Sequence, residues 1–493
     1  MSITAKLQEI RDHSGPRRTR GIPDDVLVAF AATDASLVQA VDRGLELHRA
    51  LRQEQPALVA MAEAELVVHL QQGLVNFYKP ETVNPYVALA AKGPWVVTSH
   101  GAVVHDNGGY GMLGQGHNPD VVAAVLARPQ VMANVMTASF SHLAFDQKLR
   151  RELGHTRPEG CPFARFICLN SGSESVTVAR RLADVNALRL VGPGGRHEGR
   201  VIKALAIKGG FHGRTDGPAR ISDSCRDAYE KYLASFRDHS DLVVVEQNDV
   251  AALEAAFTQA EAQGWYFDAI YMEPVQGEGA PGRAITREFY DRAVALTRAM
   301  GGLVVVDSIQ AGLRAHGVLS LVDYPGFQDA SPPDVETWSK ALNAGQYPLS
   351  VLGLSQRAAD LYVKGVYGNT MTTNPRALDV ACAVLDGITP ALRENIRRQG
   401  LAFLKGLEGL QAEFPQIITK VQGTGLLFCA ELDPAFPVVA FDSPEERCRL
   451  VGLGVVHGGV NALRFTPHFG ITDAEITLVL DLLREVLQGL TAK

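Results

Sequence analysis

The sequence predicts an α/β protein, a large doubly wound and mainly parallel sheet followed by a small C-terminal α/β domain. Two observations carry this. From about residue 117 to residue 375, short apolar runs at 166–169, 201–207, 242–245, 269–272 and 304–306 alternate with segments of helical spacing, the pattern of a sheet covered by helices on both faces. After Pro375 the texture changes to a helical region at about 376–414 and strand-like pieces at 417–421, 426–432, 454–457 and 462–465. A last helix follows, opened by Thr472 and Glu475 at capping-box spacing.

Size and charge narrow the function. At 493 residues the chain exceeds one ordinary core. Its 47 basic and 54 acidic residues leave a net charge of −7, which offers nucleic acid or an anionic membrane no general attraction. Cysteines 161, 168, 225, 382, 429 and 448 show no CxxC pairing and read as reduced thiols. No apolar stretch reaches membrane-spanning length, and the start, with Arg11, Asp12, His13, Arg17, Arg18 and Arg20, lacks a signal-peptide core. A cytoplasmic protein is expected.

The first twenty residues are polar and read as a loose arm. Leu37, Val41, Leu45, His48 and Leu51 have helical spacing, and Pro56 opens a second helix carrying Leu58, Met61, Leu66 and Leu70. Such amphipathic helices need a cover, which a second subunit would provide. Short β-like pieces at 95–97 and 102–104 lead into a glycine-rich passage at 106–117, where backbone either approaches something closely or simply turns.

Chemistry concentrates at strand ends. The run Leu303-Val304-Val305-Val306 ends on Asp307, and a second strand at 334–338 leads to Lys340. In open α/β sheets the ligand crevice lies at the carboxyl ends of the strands. A lysine that forms a Schiff base and a carboxylate that keeps a pyridine nitrogen protonated are what pyridoxal phosphate requires. Taken singly, each residue also fits a surface or capping role.

Four further stretches suit the same cofactor. Asn170-Ser171-Gly172-Ser173-Glu174-Ser175 precedes a helix, where free N–H groups make either a phosphate site or an ordinary serine cap. Gly209-Gly210-Phe211-His212-Gly213-Arg214-Thr215 offers an aromatic that can stack on a planar ring. Met272-Glu273-Pro274-Val275-Gln276-Gly277-Glu278-Gly279 ends a strand in acids, and the hydroxyl-rich Gly368-Asn369-Thr370-Met371-Thr372-Thr373-Asn374-Pro375 suits phosphate oxygens.

The order NSGSES, GGFHGRT, EPVQGEG, VVVDSIQAG, SKAL, GNTMTTNP and RFTPHF, spread over residues 75–485, resembles the class III pyridoxal-phosphate aminotransferases of fold type I, which include ornithine, acetylornithine, lysine and 4-aminobutyrate enzymes. The resemblance implies a seven-stranded type of sheet in a large cofactor-binding domain at 111–375. Around it would lie an N-terminal helical extension at 1–75, the first part of the small domain at 76–110 and its remainder at 376–493. It implies that Lys340 bears the cofactor and shuttles a proton, that Asp307 pairs with the pyridine nitrogen, and that Gln310 bonds the ring's phenolic oxygen. Ile309 and Phe211 would pack on the two ring faces, with His212 and Glu273 also in the cofactor shell. Gly172 and Ser173 would bind the phosphate, completed by Asn369 and Thr370 of a neighbouring subunit in a homodimer. Arg464 would take the substrate α-carboxylate, Arg214 a second carboxylate, and Glu278 would pair with Arg464 when no dicarboxylate is bound.

The implied reaction is ping-pong transfer of an amino group, with L-glutamate as donor, to an aldehyde or ketone. Ser308 and Ala311 stand where the family has an acid and a threonine, Asn343-Ala344-Gly345 replaces a more glycine-rich turn, and Glu81-Thr82-Val83-Asn84-Pro85 lacks the tyrosine of the ornithine branch. No catalytic atom is lost. The alternatives are an aminomutase or decarboxylase using the same Lys340 and Asp307, a binding-only homologue, and a nucleotide-binding oxidoreductase, for which the sequence has no GxGxxG after a strand with an acid about twenty residues on.

Overall fold

A computed structural model describes residues 1–110, 112–131, 134–237 and 241–491; Gly111 of the glycine-rich passage lies outside them. The chain divides into two compact units, Met1–Asp120 with Arg398–Lys493, and Val121–Arg397. Each is described by itself.

In the first unit the opening residues are not a loose arm. Ser2 caps a helix at Ile3–Asp12 by accepting from the Ala5 N–H, and Leu7 and Ile10, three apart on one face, are fully buried. A further helix at Asp24–Ala31 follows, tied back by the two-pronged bond of Arg11 to Asp24. The helix Ala35–Glu54 buries Leu37, Val41, Leu45 and His48 as its spacing predicts. The helix expected from Pro56 is broken into Pro56–Val59 and Glu63–Gln71, with Met61 between them and Leu70 half exposed. The break admits the N-terminal segment. Gly15 lies where a Cβ would meet the Met61 carbonyl oxygen at 2.0 Å, and the buried Glu63 carboxylate accepts from the N–H groups of Arg18 and Thr19 at 2.8 and 2.7 Å.

Strands β1 (Ala88–Lys92), β2 (Trp95–Thr98) and β3 (Val103–Asp106) form a meander beneath that helical layer; a Cβ on Gly44 would touch Val97 at 2.9 Å. The second unit contains β4 (Arg165–Leu169), β5 (Val201–Ile207), β6 (Leu242–Val245), β7 (Trp265–Met272), β8 (Leu303–Asp307), β9 (Val335–Trp338) and β10 (Ser350–Leu354). They make one sheet in the order β4-β10-β9-β8-β7-β5-β6, with β10 antiparallel to both neighbours and the other pairings parallel. The helix Gly172–Val191 lays Val176, Val178, Ala179, Leu182 and Ala183 on Leu169, Ala204, Tyr271, Val305, Val335 and Leu352 of the sheet. That apolar seam fixes the helix start beside the strand ends.

The helical region after Pro375 is two helices, Pro375–Asp386 and Pro390–Glu413, each opening on a proline at a position where no N–H is needed. Back in the first unit, β11 (Ile418–Thr424), β12 (Leu427–Leu432), β14 (Val456–Gly458) and β15 (Ala462–Phe465) form an antiparallel sheet, while β13 (Leu453–Gly454) pairs in parallel with β3. Thr472 and Glu475 do form the capping box of the last helix, Asp473–Thr491. All six cysteines are free thiols, and no helix among the described residues is long and apolar enough to cross a membrane.

Because Ile10 is completely buried, Ile10→Ala is expected to cost about 2–5 kcal/mol and to lower the urea midpoint of the purified protein. An unchanged midpoint would mean that the first helix does not dock.

Candidate active site

The parallel strands of the large sheet point their carboxyl ends at one crevice edge, and the sequence places a polar or glycine-rich loop at each. Asp307 is the last residue of β8 and is 4% exposed. Its Oδ2 lies 2.9 Å from His212 Nδ1, and its Oδ1 accepts the Ile309 N–H at 3.1 Å. Burial disfavours a charge on His212, but the hydrogen bond to Asp307 and the charges of Asp307 and Glu273 overcome it and raise the imidazole pKa.

Glu273 follows β7. Its carboxylate accepts the Phe211 N–H at 2.9 Å and the Gly277 N–H at 3.0 Å, so one acid holds the two loops that carry Phe211 and Glu278. Burial pushes its pKa up to about 7. Glycine spacing then draws the loops together: a Cβ on Gly172 would meet Ile309 at 2.5 Å, one on Gly213 would meet Ser173 Oγ at 2.4 Å, and one on Gly277 would meet Gln310 at 2.3 Å. Gly172, Ser173, Phe211, His212, Glu273, Asp307, Ile309 and Gln310 are therefore gathered within one web of contacts.

Lys340 stands two residues beyond β9, whose Thr337 is in register with Asp307 of β8. Its backbone has φ +31°, a conformation costly for a non-glycine residue, and its carbonyl accepts the Gly345 N–H at 3.0 Å. Arg214 stacks its guanidinium over the Phe211 ring at 4.7 Å and comes within 4.0 Å of Glu278. Asn369 donates to Glu174 Oε1 of its own chain at 2.8 Å, beside the start of the Gly172–Val191 helix, while Thr370 is exposed. Arg464 belongs to the other unit, on β15 between Cys429 of β12 and Val456 of β14, and is 9% exposed.

The profile of the family described as Aminotransferase class-III matches residues 77–487. The chain belongs to the class III aminotransferases. It is thus a pyridoxal-phosphate-dependent enzyme of fold type I that transfers amino groups between small molecules. It is 32% identical over 399 residues to an acetylornithine aminotransferase of Xanthomonas campestris pv. campestris, across 78% of this chain and 88% of that one. A putrescine aminotransferase of Pectobacterium atrosepticum is 29% identical over 393 residues, 78% of each chain. Among solved structures, the ornithine aminotransferase of Toxoplasma gondii superposes with a TM-score of 0.74 at 23% identity, covering 90% of this chain and 99% of that one, a likeness of fold.

One buried acid escaped the sequence reading. Glu336, in the middle of β9, accepts from the hydroxyls of Ser308 and Ser320 at 2.6 and 2.5 Å and from the Leu321 N–H at 2.9 Å. Ser308 is the position where the family's second acid is missing, and Glu336 supplies a carboxylate from the next strand. The signal was an acid inside the apolar strand Val335–Trp338. Burial outweighs its three bonds and raises its pKa from 4.5 to about 7. The folded state therefore keeps a proton that the unfolded chain releases between about pH 4.5 and 7, and stability from this group falls as pH rises through that window. Glu336→Gln is expected to flatten the loss of stability between pH 5 and pH 8, read as urea midpoints; an unchanged slope would remove Glu336 from the titration.

Proposed function

We propose that this aminotransferase holds pyridoxal phosphate at the strand-end web and moves an amino group from L-glutamate to an aldehyde or ketone in two half-reactions, working as a cytoplasmic homodimer. The observation that carries the reading is the fixed Asp307 at the end of β8, beside the strand that delivers Lys340.

The residues fit the cofactor. The Gln310 amide nitrogen is buried with no protein partner, a donor waiting for an oxygen such as the ring's phenolic one. Gly172 and Ser173 open a helix whose first N–H groups and dipole favour a phosphate, and any side chain at Gly172 would strike Ile309. Phe211 and Ile309 offer two apolar faces, with Phe211 anchored through its N–H by Glu273.

When bound, the cofactor supplies a carbonyl for the amine and a ring that takes up the electrons left when the substrate's α C–H bond breaks. Asp307 holds the proton on the ring nitrogen, and His212 fixes the angle from which it does so. Lys340 Nζ would take the proton from the substrate's α-carbon and deliver it to the cofactor. Its strained backbone and the bond from Gly345 fix the Cα from which that side chain reaches out. Arg464 and Arg214 take the carboxylates of glutamate, since guanidinium forks bond both oxygens at once. Glu278 pairs with Arg464 when no dicarboxylate is bound, and it also comes within 4.0 Å of Arg214. Asn369 and Thr370 of a neighbouring subunit complete the phosphate site. The six free thiols support a reducing compartment.

The purified holoenzyme is expected to show a visible cofactor band that shifts on adding excess L-glutamate. Lys340→Ala should lose at least about a hundredfold in turnover, the usual worth of a positioned proton carrier. A band that ignores glutamate would sink the donor assignment, and a fully active Lys340→Ala would sink the mechanism. Arg464→Ala should raise KM for glutamate by about tenfold or more, as expected when a charged hydrogen-bond partner is removed; an unchanged KM would place the α-carboxylate elsewhere.

A further inference from the structure

The first unit contains a second cluster of chemically able side chains, which transamination does not use. His105 lies on β3, His468 in the loop after β15, and Glu475 in the first turn of the helix Asp473–Thr491. His105 Nε2 is 3.1 Å and His468 Nε2 2.9 Å from the same oxygen, Glu475 Oε1. All three ligand atoms lie within 4.8 Å of one another.

The geometry points to a binding site for one divalent first-row transition-metal ion, zinc in preference, formed by His105, His468 and Glu475. Two imidazole nitrogens and a carboxylate oxygen form a donor set of the kind that binds zinc with a fourth position left to water. Ligands at about 2.0–2.1 Å from a tetrahedral ion stand roughly 3.3 Å apart, so the site needs only small side-chain movements to close on it.

The surroundings orient two of the ligands. The other carboxylate oxygen, Oε2, is held at 2.7 Å by both the N–H and the hydroxyl of Thr472, which leaves Oε1 turned to the imidazoles. Behind His105, the Asn107 amide nitrogen lies 2.9 Å from Nδ1 and donates to the His105 carbonyl at 3.2 Å, which holds the ring in place. His105 is fully buried while the His468 side chain is 16% exposed, so one side of the cluster opens to solvent for entry of the ion and for the water ligand. The bound ion would tie β3, the 466–472 loop and the last helix of this unit together.

Zinc is the probe. Full-length holoenzyme is washed with chelator, equilibrated with Zn2+, desalted and analysed for metal; Co2+ replaces zinc for spectroscopy. The expected result is about one zinc per chain, retention below a tenth of that in His468→Ala, and its recovery in His468→Cys, which restores a ligand. Cobalt should give the visible bands of a tetrahedral ion in the parent and not in His468→Ala. Circular dichroism and the cofactor band, unchanged in His468→Ala, establish that the variant is folded. Equal zinc in the parent and His468→Ala would place the ion elsewhere, and no retention by the parent would leave the cluster as a hydrogen-bond network; either result overturns the site.

Discussion

The bond between Asp307 and His212 is the constraint on which the large unit's chemistry depends. A buried carboxylate at a strand end is costly unless it is paired and hydrogen-bonded. His212 on one oxygen and the Ile309 N–H on the other meet that cost and aim the group at once. The same logic repeats one strand away, where Glu273 is held by two backbone N–H groups, and again in β9, where Glu336 takes three donors. Three neighbouring strands thus each carry a buried acid, and each acid fastens a loop of the crevice edge.

Fastening alone would not bring the loops into reach of one flat cofactor. The glycines do that by leaving out side chains where backbone and neighbour meet, at Gly172 against Ile309, Gly213 against Ser173 and Gly277 against Gln310. Acids and glycines have complementary tasks here. The first set direction and the second set distance, which is how a preorganised site is made from loops.

Much of this was legible in the sequence because strand ends announce themselves. An apolar run that stops on Asp307, or on Glu273, leaves little choice about where the polar residue sits. The capping box at Thr472 and Glu475 was equally plain, since its spacing is its mechanism. The first helix was not legible: Leu7 and Ile10 are its only buried side chains, too small a stripe to stand out among polar neighbours. The break after Val59 was hidden as well, because it answers to Gly15 and Glu63, partners distant in sequence. Glu336 was passed over because an acid inside a strand makes sense only once Ser308 and Ser320 face it. The cluster of His105, His468 and Glu475 joins residues hundreds of positions apart, and no local pattern could assemble it.

The reversed direction of β10 has its own consequence. A parallel successor to β9 would require a crossover that carries the chain back to the amino ends of the strands. Because β10 runs the other way, the 339–349 link never leaves the crevice edge, and it is closed by the Ser339 hydroxyl and the Asn343 amide on the Leu349 carbonyl, at 2.7 and 2.8 Å. Lys340 therefore rides on a hairpin turn rather than on a long excursion. The backbone position of Lys340 is inherited from the ladder between adjacent strands, so that shifting its Cα means disturbing the pairing of β9 with β10.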